Sequence, residues 1–339
     1  MMEQSHSRWQ KLMERAKREN WGMLPSPPDE RDWPLSRIVA PVALPRSVRL
    51  DHLVYQIKDQ GKCGTCVGKA VSSATETGYK QKQSLPGKGL SSLYVYSRSK
   101  QEDGIPEIQG TYPRVALKIA QKEGIAPESI FPYSSLTVCN KPPIPSAQVI
   151  ALAGAFKIKA YARLGGIEEI KQALASGKIV VAGILVTNSF LDWNGQGVIG
   201  VPAGYILGAH AVVFCGYDDD KKAVRGVNSW GERWGDKGFF WLSYDFFSWE
   251  SDIGMTGFME AWAVEFEEVL QPEPEPTQGL KIEMWIGNKI ALVNGKTIEL
   301  DIPPEIKNGR TLIPIRFVAE NIGAKVTWYA KEKKIIVER

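Results

Sequence analysis

Gln60-Gly61-Lys62-Cys63-Gly64-Thr65-Cys66 stands directly before a run of small and apolar residues that recurs with helical periodicity from Cys66 to about Gln81, until Leu85-Pro86-Gly87-Lys88-Gly89 breaks the pattern. The spacing predicts a helix that begins at Cys66. A helix N-terminus with an imidazolium nearby can lower a cysteine pKa from ~8.5 to ~3–4, so a thiol at this point is a candidate nucleophile. Of the three histidines, His210 alone lies on an apolar, strand-like segment, Leu207 to Tyr217. Asn228 follows in the next strand-like run, where its side-chain carbonyl can accept a hydrogen bond from one imidazole nitrogen and fix the tautomer. Cysteine, histidine, asparagine in that chain order is one known arrangement for nucleophilic catalysis. Cys63-x-x-Cys66 also has the spacing of a dithiol redox pair or half a zinc site, but zinc needs two more ligands, and Cys139, Cys215 and His210 show no paired spacing.

The remaining chain reads as two domains. With 43% hydrophobic and 24% charged residues over 339 positions, it can bury a full core and is long enough for a catalytic domain plus a small companion. A net charge of +4 without a basic cluster argues against a nucleic-acid partner. Four cysteines are too few and too irregularly spaced for a disulfide framework. Met1 to Trp21 has no apolar run suited to a signal peptide, and no stretch of ~18 apolar residues suggests a membrane span.

Helical spacing of Trp9, Leu12, Met13 and Ala16 suggests a short amphipathic helix over residues 8–21, ended by the Pro-rich Leu24 to Pro34. Further helices are expected over Arg114 to Glu123 and Ile167 to Ala175. Strands are expected over Ile179 to Val186, Ala209 to Tyr217, Ala223 to Ser229 and Gly238 to Tyr244, with a polar turn at Asp218 to Lys222. Helices first and strands later predict an α+β domain in two lobes with a cleft between them. Residues 269–280, with alternating Pro and Glu, read as an extended linker. Beyond it, Asn294-Gly295 marks a hairpin, a helix fits Ile315 to Asn321, and a second hairpin closes the chain.

The three blocks together resemble the papain family of cysteine peptidases. Gln60-Gly61, Cys63-Gly64 and Cys66 match its Q-G-x-C-G-x-C block; Asn228-Ser229-Trp230-Gly231, Trp234-Gly235 and Gly238-Phe239 match its N-S-W-G-x-x-W-G-x-x-G-[FY] block; His210 lies between them. The resemblance covers roughly Leu44 to Glu265. It implies a papain-like two-lobed α+β fold, a helical lobe beside an antiparallel β lobe, and a peptidase without a cofactor. It also implies Cys66 as nucleophile, His210 as base, Asn228 as its orienting partner, Gln60 in the oxyanion hole and Trp230 as a shield over the His–Asn hydrogen bond.

Departures from the family pattern bear on substrate binding. Aligning from Tyr112-Pro113 puts Ile108 where the family has the partner of Cys63, so that bridge cannot form, and puts Gly110-Thr111 at the glycine pair of the substrate shelf. Cys139 resembles half of another family disulfide whose partner is missing among Tyr94 to Arg98. Cys139 and Cys215 are therefore expected to be inert thiols. Gly64, Gly110, Thr111, Ala209 and Trp230 are the expected substrate-binding residues, and Ala209 with Thr111 suggests an apolar, narrowed pocket. Residues 1–43 precede the resemblance and are expected to act as a short propeptide-like plug or to pack as a tail.

Ile282 to Glu338 resembles the stalk domain named from the N-termini of copper amine oxidases. No copper ligand set is present. The module recurs on surface proteins of Gram-positive bacteria, which implies cell-surface or cell-wall contact while the N-terminus lacks an export signal. A peptide or protein is the expected substrate. A cell-wall peptide crosslink and a catalytically silent binding scaffold are the alternatives.

Overall fold

The computed structural model describes Glu14 and residues 22–81, 84–251, 254–266 and 281–338. The N-terminal helix expected over 8–21, Glu14 apart, and the linker at 269–280 lie outside those residues. The chain divides into two compact units, Met1–Glu267 and Glu268–Arg339.

In the first unit the helical lobe holds α1 (Cys66–Gln81), α2 (Ser92–Glu102), α3 (Pro113–Lys122) and α4 (Ala147–Ala153). Local chemistry sets their starts. Ser91 and Ser146 accept hydrogen bonds from the N–H groups of Tyr94 and Val149, and Pro113 occupies the first turn of α3, where no N–H is required. Glycine at position 68 lets α1 meet α2 closely: a Cβ there would lie 2.6 Å from the Ser92 carbonyl oxygen. Helix α2 was not among the sequence expectations, because Ser92 to Glu102 carries little apolar periodicity.

The second lobe is a seven-stranded antiparallel sheet in the order β2 (Ala160–Leu164), β7 (Phe258–Glu265), β3 (Val180–Thr187), β4 (Ile206–Asp218), β5 (Ala223–Val227), β6 (Phe239–Ser243), with β1 (Ser47–Arg49) beside β4. Strand β3 is buried along its whole length because both faces are covered. Val181 and Leu185 join the core shared with the helical lobe; Val180, Ala182 and Ile184 join a second core beneath α5 (Ile167–Ala175). That double burial explains why the segment reads as continuous apolar sequence rather than as an alternation. Strands β2 and β7 escaped the sequence reading. The short helices α6 (Asn188–Leu191) and α7 (Asp245–Ser248) fill turns.

The second unit contains the sheet β10–β9–β8, built from β8 (Ile282–Met284), β9 (Ile290–Val293) and β10 (Lys296–Glu299). It adds the hairpin of β11 (Glu305–Lys307) with β12 (Arg310–Leu312), helix α8 (Ile315–Asn321), and the hairpin of β13 (Lys325–Tyr329) with β14 (Lys334–Glu338). Asn294 and Gly295 both take positive φ, 48° and 79°, as a type I′ turn requires. Asn308-Gly309 makes the same kind of turn between β11 and β12.

Candidate active site

Cys66 is the first residue of α1 and fully buried, and His210 sits in the middle of β4. Both line the seam between the lobes, and the Cys66 thiol is held near the Ala211 N–H. The imidazole has one defined partner: His210 Nε2 lies 2.7 Å from Asn228 Oδ1. The same oxygen accepts the backbone N–H of Ser229 at 2.7 Å, which fixes which end of the amide faces the ring. Nε2 must then donate, leaving Nδ1 as the free base. Trp230 covers the ring at 4.9 Å between centroids and is itself held by Phe190 and Trp234.

Gln60 is fastened from several sides. Its N–H donates to the Ser229 carbonyl at 2.9 Å, its Oε1 accepts from Ser229 Oγ at 2.8 Å, and its Nε2 donates to the Cys63 carbonyl at 3.0 Å. An amide nitrogen has two protons, so one remains for a further acceptor. Tyr133, which the sequence did not single out, braces this loop. Its hydroxyl donates to the Gln60 carbonyl at 2.8 Å and therefore accepts from Thr65 Oγ1 at 2.7 Å. The Lys69 ammonium rests 3.1 Å from the Tyr133 ring centre, and burial lowers its pKa to about 7.

Cys63 and Cys139 form a disulfide, with Cα atoms 5.1 Å apart. This corrects the expectation that Cys63 is unbridged and Cys139 an inert thiol. Each had lost its own family partner, and the two remaining halves lie close enough to join each other. Cys66 and Cys215 are the free cysteines, both buried.

Residues 22–43 lie across part of the cleft. Gly22 lies against Cys66: a Cβ at position 22 would stand 3.0 Å from Cys66 Sγ and 3.2 Å from the Gly64 Cα. Met23 pairs with Thr111 in a parallel bridge, and the Leu24 N–H donates to the Thr111 carbonyl at 3.1 Å. Gly110, at φ 84°, turns the chain into that position. Ser26 N–H then donates to Glu260 Oε1 at 2.9 Å, while Asp32 pairs with Arg114 and Arg163. Leu35 and Val39 enter the core beneath α5. This strap leaves part of the cleft open, a groove of about 460 Å³ lined by Gln60, Gly64, Ala209, His210 and Trp230 with Gly22 at its edge. Thr111 is fully buried under the strap.

Under this cover the ionisations oppose thiolate formation. Burial pushes the Cys66 thiol up to about 12 and the His210 imidazolium down to about 4. Both shifts favour the neutral forms, thiol at Cys66 and imidazole at His210. Among the described residues no group of His, Cys, Asp and Glu could hold a metal ion, and no helix is long and apolar enough to cross a membrane.

Residues 45–253 match the model of the papain family cysteine proteases, and residues 276–337 match the copper amine oxidase N-terminal domain. The chain belongs to the papain family. An uncharacterized peptidase C1-like protein of Acanthamoeba polyphaga mimivirus is 29% identical over 259 residues, covering 67% of this chain and 82% of the relative. Stem bromelain of Ananas comosus is 27% identical over 206 residues, covering 60% of this chain and 90% of the relative. Among solved structures, xylellain, a cysteine protease from Xylella fastidiosa, superposes with a TM-score of 0.62 at 27% identity, covering 73% of this chain and 96% of that one. This kinship supports cysteine peptidase activity in general terms.

Proposed function

We propose that the chain is a cysteine-type endopeptidase, held latent by its own residues 22–34, in which Cys66, His210, Asn228 and Gln60 act together. The observation that carries the reading is the paired hydrogen bonding at Asn228, which leaves His210 Nδ1 as the free base at a seam shared with a helix-initiating cysteine. Once the strap leaves, water and the α1 N-terminus favour the charged pair that burial disfavours. The Cys66 thiol then passes its proton to His210 Nδ1 and the sulfur attacks the substrate carbonyl. The Cys66 N–H and the Gln60 amide hold the oxyanion. Imidazolium returns the proton to the departing amine, leaving a thioester. His210 next takes a proton from water, hydroxide adds to the thioester, and the acid and thiol are released.

Latency is supported by Gly22 seated against Cys66 Sγ and by the backbone pairing of the strap with Thr111. Casein, short fluorogenic peptides and purified peptidoglycan, assayed side by side with the full chain and with Cys66→Ala, test the reading. Cleavage of casein and peptides that Cys66→Ala abolishes is expected. Cleavage of peptidoglycan alone would favour a cell-wall crosslink as substrate, in keeping with the C-terminal module. Turnover that survives Cys66→Ala would refute the assignment.

A further inference from the structure

Tyr133 stands outside the group Cys66, His210, Asn228 and Gln60, yet its hydroxyl joins two stretches of chain that the chemistry needs. It donates to the Gln60 carbonyl at 2.8 Å and accepts from Thr65 Oγ1 at 2.7 Å. Gln60 carries one oxyanion donor, its side-chain amide. Thr65 is the residue before Cys66, and the peptide unit that joins them carries the other donor, the Cys66 N–H. A single phenolic oxygen thus grips both ends of the loop at 60–65. Inside the loop, the Cys63 N–H donates to the Gln60 carbonyl at 3.4 Å and the Thr65 N–H to the Cys63 carbonyl at 2.7 Å. The Cys63–Cys139 disulfide fastens its middle. These bonds shape the loop without joining Gln60 to Thr65 directly, and the phenol does join them.

Tyr133 is itself held in place. It opens a 3-10 turn, Tyr133–Ser135, and its N–H donates to Glu128 Oε1 at 2.6 Å. The Lys69 ammonium presses on the ring from the first turn of α1, where the Lys69 N–H donates to the Thr65 carbonyl at 3.0 Å. Burial pushes the Tyr133 pKa up, so the hydroxyl keeps the proton that it gives to Gln60.

We propose that Tyr133 is a positioning residue whose hydroxyl sets the separation of the two oxyanion donors, the Gln60 amide and the Cys66 N–H. This rests on the reading of the site as a peptidase. Such donors act only when they stand about 3 Å from the place the oxygen reaches in the transition state. A displacement of ~1 Å can cost ~10²-fold in rate. Removing the phenolic oxygen leaves the ring on Lys69 but frees the two ends of the loop from each other. Transition-state stabilisation should therefore suffer, while the thiol itself is untouched.

The test compares the full chain with Tyr133→Phe using two reagents. A peptide aldehyde adds Cys66 to its carbonyl and places an oxygen between the two donors, whereas a pyridyl disulfide captures the same thiol with no carbonyl to stabilise. Both reagents meet the same strap in each protein, so its cost cancels. In Tyr133→Phe the aldehyde should bind at least ~5-fold more weakly while capture of Cys66 by the disulfide stays within ~2-fold. With peptide substrate, kcat and kcat/KM should fall together by at least ~5-fold, as for an interaction made only in the transition state. In a Gln60→Ala background the same substitution should cost no more than ~2-fold, because one of the two donors is already gone. A smaller loss of aldehyde affinity, an equal loss with both reagents, or an undiminished cost in Gln60→Ala overturns the proposal and leaves the peptidase reading standing. A wild type that cleaves no peptide and whose Cys66 reacts with neither reagent overturns both.

Discussion

His210 takes its tautomer from Asn228, whose Oδ1 is already committed to the Ser229 N–H and therefore demands a donor from the ring. Asn228, Ser229 and Gln60 stood out in the sequence because they fall within family blocks, and His210 because it alone of the three histidines lies on an apolar, strand-like segment between those blocks. Glu260 and Tyr133 were not, since a lone Glu in an apolar run and a Tyr after Pro132 acquire meaning only from contacts made across the fold. The pairing of Cys63 with Cys139 was missed for the same reason, as each had been compared with a partner of its own. Removing the Gln60 amide should lower kcat by roughly 10²-fold, the scale of one oxyanion donor. Steady-state kinetics of Gln60→Ala against the same peptide decide this, and a change below about twofold would make Gln60 a packing residue. Stability supplies a second residue-scale test. Burial lowers the His210 pKa from 6.5 to about 4 in the native state. The stabilisation is complete above pH ~6.5, where folded and unfolded chains both hold neutral imidazole, and is lost as pH falls towards 4, where only the unfolded chain gains a proton. The loss amounts to about 3 kcal/mol at most. Urea unfolding from pH 7 to 4 should therefore destabilise the full-length wild type more steeply than His210→Gln. Parallel pH profiles would contradict this.

Helix α1 was legible from end to end because its start and its break are local signals, and β3 was legible as a strand because of its apolar run. The strap shows where local signals stop. Its four prolines, Pro25, Pro27, Pro28 and Pro34, mark an extended segment, but nothing in Gly22 announces that it rests on a residue 44 positions later. That contact supplies the element-scale prediction. In Gly22→Val the new side chain meets Cys66 Sγ and the Gly64 backbone, and backbone cannot yield cheaply. The strap should lift at its cleft end while Leu35 and Val39 stay anchored, raising the initial rate of peptide hydrolysis at least several-fold. An initial rate equal to that of the wild type would mean that the strap does not restrain the enzyme.

The division into an α+β catalytic part and a small C-terminal part follows from a change in composition, helices before about residue 176 and strands after it, then Pro and Glu at the expected linker. The turn chemistry of Asn294-Gly295 made one C-terminal hairpin readable, whereas strands β2 and β7 have no turn of comparable strength beside them. On the proposed function, a papain-family chain carries its own occupant in the cleft, covering a neutral thiol that becomes a nucleophile when exposed. A thiol-directed epoxide followed by peptide mapping tests this most directly. A single adduct on Cys66 is expected, formed faster in Gly22→Val than in the wild type and absent in His210→Ala, with Cys63 and Cys139 recovered as a disulfide-linked pair. Modification of Cys215 instead, or hydrolysis that continues with Cys66 unmodified, would contradict it.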